Sequence, residues 1–132
     1  MDARARATEE QEQATLFAWA ALELRVRPDL GMLFAIPNGG WRAKSTAAAM
    51  RRTGTKAGVP DMCLPVARRG YHGLYIELKR SDGGRVSKDQ QAWLERLRQQ
   101  GYAAVVCCGC DSAINVITNY LDSRLDVLEG IS

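Results

Sequence analysis

The apolar positions of the chain fall into short blocks whose spacing switches between helical and extended periods. Leu16, Ala20 and Leu24, joined by Phe17 and Trp19, recur at helical spacing. Thr8 stands where an N-cap belongs, acids fill the first turn, and Pro28 ends the run, so a helix is predicted from Glu9. Met32 to Ile36 has strand character and is stopped by the turn cluster Pro37-Asn38-Gly39-Gly40. The alanine-rich stretch Ala43 to Arg52 predicts a second helix closed by Gly54. Asp61 to Val66 reads as a strand and Arg68-Arg69-Gly70 as a hairpin turn. Gly73 to Lys79 is the partner strand, since Leu74, Ile76 and Leu78 alternate with Tyr75, Glu77 and Lys79. After a loop at Asp82-Gly83-Gly84, Ser87 caps a helix through Gln100 with Trp93, Leu94 and Leu97 as its inner stripe and Gly101 as its stop. Tyr102 to Cys107 is a buried strand, and Asp111 or Ser112 caps a last helix through Leu121. The order α-β-α-β-β-α-β-α predicts an α/β fold with a mixed central sheet flanked by helices.

Length adds one constraint: 132 residues suit a single domain, expected over 1–132. At 46% apolar and 25% charged residues, the chain has the makings of a packed core. No apolar run reaches the length of a bilayer, and Met1 to Gln13 lacks the apolar segment of a signal peptide, so no membrane partner and a cytoplasmic location are expected. Net charge is only +3. Its distribution says more. Between Leu30 and Pro60 there is no acid, while Arg42, Lys44, Arg51, Arg52 and Lys56 all fall there. Such a block can hold phosphates, although a solvated helix face has the same composition. Lys44, Arg51 and Arg52 lie seven and eight residues apart, near one stripe of the second helix. Asn38 with Gly39 and Gly40 makes either a loop at a cleft edge or a plain turn. Cys63, Cys107, Cys108 and Cys110 lack paired zinc-site spacing and are expected to be small buried residues.

The candidate chemistry lies on the two central strands. Strand alternation points Glu77 and Lys79 one way and Leu74, Ile76 and Leu78 toward the core. Asp61 opens the preceding strand, so pairing through the turn near Gly70 brings it close to Glu77. Two adjacent carboxylates repel, and a hard divalent cation such as Mg²⁺ gives them a reason to meet. A lysine two residues on can orient a water or stabilise a transition state. Glu-x-Lys alone is more simply a surface ion pair on an edge strand. Joined to Pro60-Asp61 at hairpin distance, it gains specificity.

Pro60-Asp61 followed by Glu77-Leu78-Lys79 resembles the PD-(D/E)XK nuclease signature. The surroundings resemble its VRR-NUC branch: Glu9 to Gln13, Ile36-Pro37-Asn38-Gly39-Gly40, Gly54 with Gly58-Val59-Pro60-Asp61, Tyr75-Ile76-Glu77-Leu78-Lys79, Ser87 with Gln90, and Gly101-Tyr102. The resemblance runs from about Glu9 to about Leu121. It implies a restriction-endonuclease-like fold and Mg²⁺- or Mn²⁺-dependent hydrolysis of phosphodiester bonds. For stand-alone bacterial and viral members it also implies a homodimer acting on branched DNA such as four-way junctions. Carried over by position, Asp61 and Glu77 are expected as metal ligands, the Leu78 carbonyl as a further ligand, Lys79 as the catalytic lysine and Gln90 as the family's glutamine. A helix-surface role for Gln90 competes. Glu9, Glu10 and Glu12 are all candidates for the first-helix acid. Glu9 is preferred because it lies one turn before Gln13, on the face that carries Leu16 and Ala20. Glu10 and Glu12 are assigned to the helix dipole. Trp19, Ile117 and Tyr120 are a first guess for a dimer contact, against ordinary core packing. A DNA-binding module without turnover, or a sequence-specific restriction-type endonuclease, are the competing functions.

Overall fold

Thr8 accepts a hydrogen bond from Gln11 N–H while the Gln11 side chain accepts from Thr8 N–H, and this reciprocal cap starts α1 (Glu9–Glu23). The computed structural model describes residues 7–37 and 44–122. After α1 the N–H groups of Val26 and Arg27 both turn back onto Glu23 O, so the helix stops short of Leu24, which is 41% exposed rather than on the inner stripe. Pro28 begins a 3-10 helix (Pro28–Met32) instead of merely ending α1. That helix takes up part of the expected strand, leaving β1 only Phe34–Ala35. The remaining elements are α2 (Lys44–Arg52), β2 (Met62–Leu64), β3 (Leu74–Lys79), α3 (Lys88–Gln99), β4 (Ala103–Cys108) and α4 (Cys110–Leu121).

The sheet has four strands in the order β1-β2-β3-β4, with β2 antiparallel to both β1 and β3, and β3 parallel to β4. Arg69 and Gly70 both take positive φ, 50° and 85°, as a two-residue turn with right-handed strand twist requires, and Arg68 bridges Tyr71 across it. α3 crosses between the parallel strands. Ser87 and Gln90 form its reciprocal cap. At its other end Tyr102 N–H reaches Leu97 O, Gly101 N–H reaches Arg98 O and Gly101 has φ +92°, a Schellman closure.

Both faces of the sheet are covered. Leu74, Ile76 and Leu78 of β3 join Met62, Leu64 and Val105 in a core with Leu16 and Ala20 of α1 and Ala113, Ile117 and Tyr120 of α4. Tyr75 of β3, with Ala104 and Val106 of β4, packs instead against Trp93, Leu94 and Leu97 of α3. This corrects the edge-strand alternative for Glu77 and Lys79: β3 is interior, and both side chains are buried on the face under α3. Ile117 and Tyr120 are fully buried, the Tyr120 hydroxyl donating to Val66 O at 2.6 Å, so the guess that they form a dimer contact is wrong. Trp19 packs partly buried against the same core. Cys63, Cys107 and Cys110 are buried, but strand alternation turns Cys108 to the other face, where it is exposed.

Candidate active site

Asp61 sits one residue before β2, and the register Met62↔Ile76 sets it beside Glu77. Its backbone oxygen accepts from Ile36 N–H at 2.8 Å, which ties it to the β1 side. Its Oδ2 accepts from Leu78 N–H at 2.6 Å. The carboxylate is thereby held against the β3 backbone beside Glu77.

A glycine sets the approach to Asp61. Gly58 has φ +88°, and an added Cβ would stand 2.7 Å from both the carbonyl carbon and the Cβ of Asp89. Only glycine lets this loop lie on the first turn of α3. The same turn delivers Gln90, whose Oε1 accepts from Ser87 N–H at 2.9 Å and from Lys79 Nζ at 3.1 Å. Its Nε2 donates to Glu77 Oε2 at 3.1 Å. Lys79 Nζ also lies 3.3 Å from Glu77 Oε2. One carboxamide therefore caps a helix and clamps two buried charged groups, which overturns the helix-surface alternative for Gln90.

Glu77 Oε2 is well supplied with donors, yet Glu77 Oε1 is buried with no hydrogen-bond partner. An unsatisfied buried carboxylate oxygen costs about 1–3 kcal/mol or more and needs a partner. Burial and the neighbouring Asp61 carboxylate push the Glu77 acid up to about 8, against the opposing pull of Lys79. Hard-oxygen donors that repel each other and leave one lone pair unmet fit a divalent cation. Among the described residues no cluster of three or more Asp, Glu, His or Cys side chains stands ready for a metal. The donors at hand are two carboxylates and backbone oxygen.

Glu9 reaches the same side. An added Cβ at Gly84 would meet Lys79 Cδ at 3.1 Å and Glu9 Oε2 at 3.5 Å, so Glu9, Gly84 and the Lys79 stem converge there. Glu12 does something the sequence reading missed. Neither Asp111 nor Ser112 caps α4, because Gly109 with φ +89° occupies the cap position and has no side chain to offer. Glu12 Oε1 accepts from Cys110 N–H instead, at 3.3 Å. The pair is 98 residues apart, so no local signal could have announced it.

The basic block is only partly visible. Arg51, Arg52 and Lys56 are exposed, Lys44 opens α2, and Asn38 lies outside the described residues. None of the described side chains on α2 is buried. Lys56 lines a groove along α3.

The chain matches the VRR-NUC domain family over residues 7–111. A solved structure described as a VRR_NUC domain protein is 32% identical, with a TM-score of 0.76, covering 91% of this chain and 93% of that one. No protein of curated function matches. The mixed four-stranded sheet flanked by helices is consistent with the restriction-endonuclease-like fold of the PD-(D/E)XK superfamily, to which VRR-NUC domains belong. The chain belongs to the VRR-NUC domain family, and its function is of the nuclease type. No helix among the described residues is long and apolar enough to cross a membrane.

Proposed function

We propose that the protein is a metal-dependent endodeoxyribonuclease that hydrolyses phosphodiester bonds in branched DNA, four-way junctions included, as a homodimer. The observation that carries the metal requirement is Glu77 Oε1, buried without a partner beside Asp61. Asp61 and Glu77, with the Leu78 carbonyl, would hold Mg²⁺ or Mn²⁺. Bound there, the cation supplies a water of lowered pKa and neutralises charge growing on the phosphate.

The chain's own groups do the rest. Gln90 holds Glu77 and Lys79 in register. Lys79 places a positive charge within 3.3 Å of Glu77, in a site shielded from water, where it acts on the attacking water or on the developing phosphate charge. Glu9 faces the Lys79 stem across Gly84 and is the first-helix acid of the reading. Arg51, Arg52 and Lys44 of α2 bind phosphates, as do Lys56 and Asn38. The cysteines Cys63, Cys107, Cys108 and Cys110 are free, which supports a reducing, cytoplasmic setting.

Resolving a junction takes two coordinated cuts, and a symmetric pair holds two sites at one spacing. Leu22, Val26, Met32 and Phe34 are exposed at the end of α1, beyond it and on the edge strand, and such surface favours covering. Light scattering at assay concentration, with cleavage of labelled four-way junction against linear duplex, tests both parts. A dimer that prefers the junction is expected. A monomer that cuts junctions no faster than linear duplex overturns the dimer and the branched substrate together.

A further inference from the structure

Trp93 breaks the pattern of its helix. Leu94 and Leu97 are buried as an inner stripe should be, while Trp93 is only half-buried. Its indole lines a groove of about 620 Å³ together with Lys56, Asp89, Arg96 and Gln100. That volume suits a small organic group. Trp93 packs on one side against the small core under α3, and the apolar area it leaves facing the groove is unfavourable in water and gains from being covered.

Both walls of the groove run on along the chain into the proposed active site. Lys56 and Ala57 lead through Gly58, pressed against Asp89, to Asp61. Asp89 precedes Gln90, and Trp93 lies one helical turn beyond Gln90, about 5 Å along the axis. The chemistry is mixed. Lys56 and Arg96 outnumber the single acid Asp89, so the groove favours an anion, but a bare phosphate makes no use of an indole. Paired bases within a duplex present no free face. A nucleotide lifted out of the stack has both a π-face for Trp93 and a phosphate for the two cations, with ring polar atoms for Asp89 and Gln100.

We propose that this groove takes one unstacked nucleotide of the DNA substrate, its base against Trp93 and its phosphate against Lys56 and Arg96, next to the bond that is cut. The proposal rests on the nuclease reading of Asp61, Glu77 and Lys79, and it gives a physical source for selecting branched DNA, where bases at the branch are easily unstacked.

The test compares two labelled duplexes by fluorescence anisotropy in chelator, where nothing is cut. One carries a short single-stranded flap, the other the same flap with abasic sites. The wild-type protein should bind the base-carrying flap about tenfold more tightly, the scale of one base–aromatic stack. Trp93→Ala should bring the ratio close to one, and Trp93→Phe should keep most of it. Ala92→Leu, at an exposed groove residue, adds three carbons to the groove wall without disturbing the core and should lower the ratio. It decides the matter if Trp93→Ala fails to fold. A wild-type ratio near one, or a ratio that neither Trp93→Ala nor Ala92→Leu lowers, overturns the proposal and gives the groove to another ligand. Cleavage of a labelled four-way junction with Mn²⁺, measured on the same wild-type protein, keeps the two readings apart. No cleavage marks failure of the nuclease reading. Cleavage with base-independent binding marks failure of the groove alone.

Discussion

Gln90 donates its side-chain N–H to Glu77 Oε2 at 3.1 Å. The same carboxamide accepts from Lys79 and from Ser87 N–H, so the start of α3 and the chemistry of β3 are one hydrogen-bonded unit. Gln90→Ala removes the bonds to Glu77 and Lys79 and the reciprocal half of the helix cap. It should lower stability by about 1–3 kcal/mol and activity by roughly 10–100-fold, the usual cost of losing a group that orients site residues. Urea unfolding and cleavage rates check both. Gln90→Glu should be worse for activity than for helix capping, because it puts a third acid against Glu77. Full activity in Gln90→Glu would mean the clamp has no part in the reaction.

The raised acid of Glu77 sets a pH dependence with a definite sign. Its ordinary value is 4.5 and the fold pushes it up to about 8, so the unfolded chain releases this proton first. The folded state then binds more protons across that window, and the contribution of Glu77 to stability falls as pH rises from about 4.5 to about 8. Thermal unfolding of wild type against Glu77→Gln in chelator should show the advantage of the wild type shrinking through this range. Added Mg²⁺ or Mn²⁺ should raise the melting temperature most at alkaline pH, where Glu77 is ionised, and least near pH 5. Parallel pH curves for the two proteins would contradict this account of Glu77.

Lys79 is expected to act on the reaction more than on the metal. In alkaline buffer, above the Glu77 acid, Lys79→Ala should retain most metal affinity by calorimetry and lose most turnover. Lost affinity with unchanged turnover per bound metal would reverse that assignment.

Gly58→Ala tests how tightly the loop before Asp61 is held. The φ of +88° alone costs an alanine about 1–2 kcal/mol, and its Cβ would lie 2.7 Å from the Asp89 backbone. We expect a destabilised protein whose activity, at a temperature where it is still folded, is also reduced because Asp61 is displaced. Wild-type stability would show that the loop has room to move.

Much of this arrangement was legible in the chain. Ser87 announced the start of α3, Arg68-Arg69-Gly70 announced the turn, and the alternation of β3 set Glu77 and Lys79 apart from Leu74, Ile76 and Leu78. What alternation could not say is that both faces of β3 are covered, because an apolar-polar pattern looks the same on an edge strand as on a buried catalytic one. The role of Glu12 at α4 was hidden for a different reason, since it depends on packing between the first and last helices. Pro28 marks a helix stop in the sequence and also starts a 3-10 turn, for which five residues carry too little pattern. Trp93 counted as core by spacing alone, and only the groove beside it gives the indole a second purpose.

The central claim is that Asp61 and Glu77 work as a metal-binding pair. Its most direct test is cleavage of a labelled four-way junction by wild type, Asp61→Ala and Glu77→Ala, each with Mn²⁺ and each in excess chelator, with circular dichroism to confirm the fold. The account predicts cutting by the wild type with Mn²⁺ only, and none by either folded variant. Full cutting in chelator, or by Asp61→Ala, would contradict it.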